Sequence, residues 1–350
     1  MIRGGIILFL WVGVLMNSAV AKDTTRIRKI TVLPVPTIGY APETDFYFGA
    51  VTLFTLDLYQ DSCTRTSNVD LEFNYTLRNQ SILETSWNYF FREEKWFTEG
   101  LIHGSEYPDL YYGIGAQTRE QDEVKFSSTR LNLQVNLYRK LKKSLFLGFG
   151  IGATRYNNIK SDSWDLPEEL RSGSLKAVRI ILLYDSRDRI LTPRKGFYFK
   201  INSAFNFSQQ DYPRVEMDIR KYYTGESGFT IAGRYYQSWV GNTPPFFDYP
   251  VMGGDQIARG YFYGRFRDRA LSTIQAEIRT PQLYRTGLAF LGGVSALSPH
   301  FSLGQASYFP NFGIGLRFMV DKSETTNLRI DYAIGSKNQS GIYISFGESF

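Results

Sequence analysis

Short segments in which apolar and polar residues alternate one for one recur from residue 31 to the last residue. Arg130 to Leu137 reads R-L-N-L-Q-V-N-L, Arg214 to Arg220 R-V-E-M-D-I-R, Thr273 to Arg279 T-I-Q-A-E-I-R and Asn327 to Ile334 N-L-R-I-D-Y-A-I. Side chains of a strand point alternately to opposite faces, so each segment has one aliphatic face and one polar or charged face. Sixteen such runs are predicted as strands: 31–40, 47–57, 66–76, 81–91, 95–105, 124–138, 143–156, 173–184, 196–207, 211–222, 226–239, 269–279, 284–296, 311–320, 326–334 and 340–350. A soluble sandwich turns its apolar face inward. A membrane barrel inverts that meaning, with aliphatic side chains toward lipid and Arg, Glu, Asp and Asn toward a wet lumen. Because the runs are long, even in number and continue to the chain end, the expected fold is all-β, a 16-stranded antiparallel transmembrane β-barrel. With both termini on the periplasmic side, the long gaps at 106–123, 157–172, 240–268 and 297–310 are external. The short ones at 92–94, 139–142 and 280–283 are then periplasmic, the asymmetry expected of such barrels.

The first residues add a compartment. Arg3 is followed by an apolar run from Ile6 to Met16 and by Ala19-Val20-Ala21. A charged start, an apolar middle and small residues before the cut describe a secretory signal, 1–21, leaving 22–350 as the barrel. The apolar stretch is short for a helical span of about 20 residues. Export and a barrel together place the protein in a cell outer membrane of Gram-negative type, among outer-membrane lipids.

Composition agrees. Mean hydropathy is −0.26, yet there are 27 Phe, 24 Tyr and 31 Gly. Moderate polarity with many aromatics suits a barrel, in which only alternate residues meet lipid and aromatic girdles mark the interfaces. The formal charge of +6 comes from mixed acids and bases rather than basic runs, so no nucleic acid partner is expected. A single cysteine, Cys63, excludes an intramolecular disulfide framework and a thiolate cluster. Two histidines, His103 and His300, leave little for metal or triad chemistry; no metal and no cofactor are expected. His103 and Ser105 share a strand face, but neither a third, orienting group nor an oxyanion donor is marked, and no enzyme is expected.

The sixth external connection carries the most specific pattern. Met252-Gly253-Gly254-Asp255-Gln256-Ile257-Ala258-Arg259-Gly260-Tyr261 resembles the G-G-x-x-x-[VI]-R-G-[FY] signature of the BamA/TamA outer-membrane superfamily, the bacterial surface antigen barrels, with Ala258 in the slot usually Val or Ile. Asp185, Arg187 and Asp188 with Pro193 and Gly196 resemble that family's turn before strand nine. Gly313 to Phe318 and Leu328 to Tyr332 resemble its penultimate strands. A last strand ending in an aromatic, with Phe346 and Phe350, resembles the signal read by the outer-membrane assembly machinery, although Glu348 stands where an apolar residue is usual.

The resemblance implies that the sixth loop folds into the lumen and that Arg259 anchors it on carboxylates of the wall. A guanidinium is a planar fork suited to carboxylates, Gly260 permits close backbone approach and Tyr261 offers an amphipathic ring. By register the acids facing the lumen are Glu277, Glu216, Asp218 and Asp331. Glu277 matches the family's acid on strand twelve. The family's F-x-D acid on strand thirteen is replaced here by Gly in Phe290-Leu291-Gly292. Arg259 is therefore expected to pair with Glu277, helped by Asp331. Arg265, Arg267, Asp268 and Arg269 are expected to be solvated or to line the lumen, and the Asp185–Asp188 corner to be a structural turn.

No counterpart of the family's periplasmic POTRA modules is expected. About nine residues separate Ala21 from the first strand, too few for a folded module. Two functions stay open. One is outer-membrane protein or lipid insertion or translocation, with a separate periplasmic or surface protein partner and a seam between the first and last strands that opens. The other is a passive pore or structural barrel plugged by the sixth loop.

Overall fold

The computed structural model describes residues 29–41, 45–59, 61, 64–77, 79–161, 167–321 and 326–350. The predicted export signal 1–21 and Cys63 lie outside them. Among the described residues sixteen strands form one antiparallel sheet in sequence order. They are β1 (Lys29–Ala41), β2 (Asp45–Asp57), β3 (Ser67–Thr76), β4 (Ser81–Phe90), β5 (Trp96–Tyr111), β6 (Val124–Lys142), β7 (Leu145–Ser161) and β8 (Gly173–Asp185), followed by β9 (Gly196–Phe207), β10 (Tyr212–Thr224), β11 (Thr230–Val240), β12 (Ala270–Arg279), β13 (Thr286–Ser298), β14 (Ser307–Asp321), β15 (Thr326–Gly335) and β16 (Ser340–Phe346). A hairpin of two-residue strands, Val251–Met252 with Phe266–Arg267, sits inside the connection between β11 and β12.

The alternation has the inverted sense of a transmembrane barrel. On β6, Leu131, Leu133 and Leu137 face outward and are exposed, while Asn132 and Asn136 face inward and are buried. On β12, Ile274 and Ile278 face outward, and Gln275, Glu277 and Arg279 inward. An exposed aliphatic band is tolerated because lipid, not water, covers it.

Several strands outrun their predicted ends. β5 continues to Tyr111, β6 to Lys142, β7 to Ser161, and β14 starts at Ser307, all in stretches assigned to connections. Backbone hydrogen bonds between hairpin neighbours carry the ladder on, and Tyr111, Phe126 and Tyr156 pack edge-on against Phe246 there. Pro108 keeps its place in the β5–β6 register opposite Ser127, while the β6–β7 pairing shifts between Ser127 and Thr129. The last strand shows the opposite error, ending at Phe346 rather than at 350, because Gly347 takes φ +76° and turns the chain inward.

β1 and β16 are the two ends of the sheet order, and among the described residues no ladder joins them. Across this seam the Tyr47 hydroxyl, on β2, donates to the Ile344 carbonyl at 3.0 Å. β16 has only seven residues, and β1 carries Pro34 and Pro36, residues that edge strands tolerate.

Candidate functional site

The connection from β11 to β12 folds into the barrel because its backbone is built to fit there. Gly253 and Gly254 take positive φ, and a Cβ on Gly253 would meet the Phe262 carbonyl oxygen at 2.3 Å. Ala258 is also left-handed, at φ +58°, and fully buried. A β-branched residue in that conformation is an outlier, a physical reason for Ala in a slot usually Val or Ile.

At the tip, Arg259 is 1% exposed. Its guanidinium donates to Glu277 of β12 and to Asp331 of β15, whose side chains are fully buried. Three wall arginines extend the cluster. Arg317 reaches Asp331 at 2.5 Å; Arg279 reaches Glu277 at 2.8 Å; Arg329 reaches Asp331 at 2.8 Å and Asp255, on the loop itself, at 2.6 Å. Glu348 completes it, accepting from Arg317 Nε at 2.8 Å and lying 3.4 Å from Arg279 Nε. The Asn311 amide donates to the Arg259 carbonyl at 2.7 Å. Four guanidinium groups therefore meet four carboxylates with little water, an arrangement in which each charge depends on the others.

Gly260 and Tyr261 fix the loop against β15. Gly260 has φ +99°, and a Cβ there would lie 2.7 Å from the Ile334 carbonyl carbon. Its N–H donates to the Tyr343 hydroxyl at 3.0 Å. The Tyr261 ring covers Gly335, and its hydroxyl donates to the Pro310 carbonyl at 2.6 Å while accepting from the Ser336 N–H at 2.8 Å.

The other acids of the lumen have their own partners. Glu216 holds Arg214 at 3.0 Å, and Asp218 holds Arg220 and Arg234 at 2.5 and 2.9 Å. Gly292 falls on the outward-facing parity of β13, beside the exposed Phe290, so the F-x-D comparison is out of register there. The inward positions are Leu291 and Gly293.

Of the charged residues after the loop tip, Arg269 stays partly exposed and the other three do not. Arg265, Arg267 and Asp268 are buried, the two arginines against the connection between β5 and β6. Arg265 donates to the Thr118 hydroxyl and carbonyl, each at 2.8 Å, and stacks on Tyr112. The Gly115 N–H donates to the Arg267 carbonyl at 2.7 Å. Burial lifts the Asp268 carboxyl above its ordinary range, offset in part by the Arg269 N–H. This end of the barrel is therefore capped by the two connections together, a coupling that no local pattern announces.

At the other end, the corner between β8 and β9 is tied by the pairs that resemblance singled out. Arg187 grips Asp185 with Nε and Nη2, at 2.9 and 3.0 Å, and Asp188 accepts from the Arg194 and Lys195 N–H groups at 2.9 and 3.1 Å. Gly196 has φ +118°, where a Cβ would overlap the Ser186 carbonyl. The corner also reaches the chain end: Leu191 accepts from the Glu348 N–H at 2.8 Å, and Pro193 from Arg279 at 3.2 Å. Phe346 closes β16. Phe350 is buried in the lumen against Tyr222 and Ala232, its carbonyl accepting from Arg279 at 3.1 Å. Glu348 and Asp255 were invisible as partners in the sequence. The one trace was an acid at 348 where an apolar residue is usual. Glu348→Gln is expected to lower the unfolding free energy in detergent by about 2 kcal/mol, since Arg317 keeps Asp331 but loses a charged acceptor. Urea titration followed by tryptophan fluorescence measures it.

Residues 59–350 match the family model described as the Omp85 superfamily domain. No curated protein sequence matches the chain. Among solved structures, BamA from Haemophilus ducreyi lacking POTRA domains 1–3 superposes with a TM-score of 0.60 at 12% identity, covering 91% of this chain and 70% of that one. CdiB from Acinetobacter baumannii gives 0.61 at 10% identity, covering 91% of this chain and 65% of that one, just under two-thirds of its length. At such identities the likeness shows the fold. The family match spans most of the sequence, with the loop-six anchor, the β8–β9 corner and the penultimate strands all inside it, and this chain belongs to the Omp85 superfamily.

Proposed function

We propose that this barrel acts in the outer membrane in the insertion or translocation of protein or lipid, together with a separate periplasmic or surface partner. The observation that carries the reading is the seam. Every other pair of neighbouring strands is joined by a ladder, whereas β1 and β16 lie side by side without one among the described residues. Unsatisfied strand edges recruit other strands, so such a seam offers a client strand or a lipid headgroup a route between lumen and bilayer. The loop-six anchor ties β12 to β15, the strand next to β16, and keeps the lumen closed while the seam works. Phe346 and Phe350 serve the assembly machinery during biogenesis, before folding buries Phe350.

A passive or structural barrel is the second reading, favoured by the filled lumen: loop six and the turned-in chain end occupy it from opposite ends. Paired cysteines placed in β1 and β16, in a Cys63→Ser background, separate the two. Oxidation is expected to abolish insertion of an unfolded barrel substrate into proteoliposomes carrying this protein, and reduction to restore it. Unchanged insertion with the crosslink formed removes the seam mechanism. Co-purification from native outer membrane identifies the partner.

A further inference from the structure

Away from the loop-six cluster, β4 and β5 carry a hydrogen-bonded chain on the luminal wall. Glu84 and His103 are ladder partners on the two strands, and Ser105 follows His103 on the same face. His103 Nδ1 is 2.8 Å from Glu84 Oε2, and its Nε2 is 3.1 Å from Ser105 Oγ. A carboxylate only accepts, so the proton between them sits on Nδ1. Nε2 of the neutral ring is thereby left to accept from the serine hydroxyl. Exposure falls along the chain, from 37% for the Glu84 side chain to 16% for that of His103, with Ser105 buried at 8%. Arg130 faces Ser105 directly across the β5–β6 ladder, and its buried Nε has no hydrogen-bond partner among the described residues. A polar tie between two strands that a ladder already joins has no need of this order. The Arg130 guanidinium lies 5.6 Å from the Tyr156 ring centroid, and nucleophile, base and orienting carboxylate are parts that acyl transfer requires.

We propose that Ser105 is a nucleophile for hydrolysis of short-chain acyl esters that enter the lumen, with His103 as its base and Glu84 as the positioning residue. Ser105 Oγ attacks the ester carbonyl carbon while its proton passes to His103 Nε2. The carbonyl oxygen takes the displaced electron pair and is met by the Arg130 guanidinium. Collapse breaks the ester C–O bond, and the departing alcohol takes the proton from His103. Water, giving its proton to His103, then attacks the acyl-serine; Ser105 recovers the proton and the carboxylic acid leaves. One ester and one water give one acid and one alcohol.

The test uses the full-length protein in detergent micelles with two probes, an alkyne fluorophosphonate and p-nitrophenyl acetate. Labelling located by peptide mass spectrometry is expected at Ser105 and absent from Ser105→Ala. His103→Ala is expected to slow both probes by about 10²–10⁴-fold, and added imidazole to restore part of the rate to His103→Gly. Glu84→Gln is expected to slow labelling at least ~10-fold while Glu84→Asp, which keeps the carboxylate, retains most of it. Rescue by imidazole and by Asp is not expected of a merely structural tie. Circular dichroism confirms that each variant is folded. Reaction of neither probe with folded protein overturns the proposal, as does labelling at another serine or labelling of Ser105 indifferent to His103.

Discussion

Arg259→Ala is expected to release loop six from the wall and open the lumen. The substitution leaves Glu277 and Asp331, both fully buried, with three guanidinium groups where four had balanced four carboxylates. Removing one partner of a buried ion pair costs about 3–5 kcal/mol, most of it the desolvation of the charge left behind. The remaining arginines hold the effect to the lower part of that range. Two measurements check it. The urea midpoint in detergent falls, and planar-bilayer current changes from closed or flickering to a large steady conductance. Arg259→Lys lies between, because an ammonium is a point charge and cannot fork between two carboxylates on different strands. A variant with unaltered stability and conductance shows that Arg259 does not hold the loop.

Gly260→Ala is expected to match that effect without touching a charge. The added methyl would sit 2.7 Å from the Ile334 carbonyl carbon and 2.9 Å from the Gly335 N, and the backbone is at φ +99°. Neither atom is the free end of a flexible side chain, so β15 or the loop must move. Left-handed strain and overpacking together cost on the order of 3 kcal/mol. Because Gly260 and Arg259 hold the same loop, the double variant is expected to be little worse than either single one. Full additivity separates the two anchors and removes the idea of one cooperative latch.

The glycine at 260 and the glycine at 335 under the Tyr261 ring make the same point from two sides. The loop lies against the wall because both backbones have been stripped of side chains where they meet. Tyr261 then exploits the gap, sealing it with its ring and satisfying the exposed ends of β14 and β15 with its hydroxyl. The Ala at 258 belongs to the same design, since the turn that aims Arg259 inward needs a left-handed residue just before it.

Much of the architecture was legible in the chain. Strict alternation is a local property of a strand with two different surroundings, so all sixteen barrel strands could be read from it, and turn residues marked most of their ends. Arg259, Gly260 and Tyr261 were legible through the resemblance of residues 252–261 to the superfamily's loop signature, with which a guanidinium, a flexible backbone and an amphipathic ring agree. Where the reading failed, pairing rather than pattern decided. β5, β6 and β7 run on because neighbouring backbones hold one another. Glu348 finds Arg317 and Arg279 only after Gly347 bends the chain inward toward strands that are distant in sequence. Glu84 meets His103 because a hairpin register sets residues 19 apart directly opposite each other, a distance at which no spacing rule operates. The sequence by itself determined which face of each strand meets lipid, because that depends on one residue and its immediate neighbours. Which inward-facing charges touch, and that among the described residues no ladder closes β1 onto β16, was decided only by the tertiary structure. Those depend on register summed around the whole barrel, to which every hairpin contributes and which no single segment encodes.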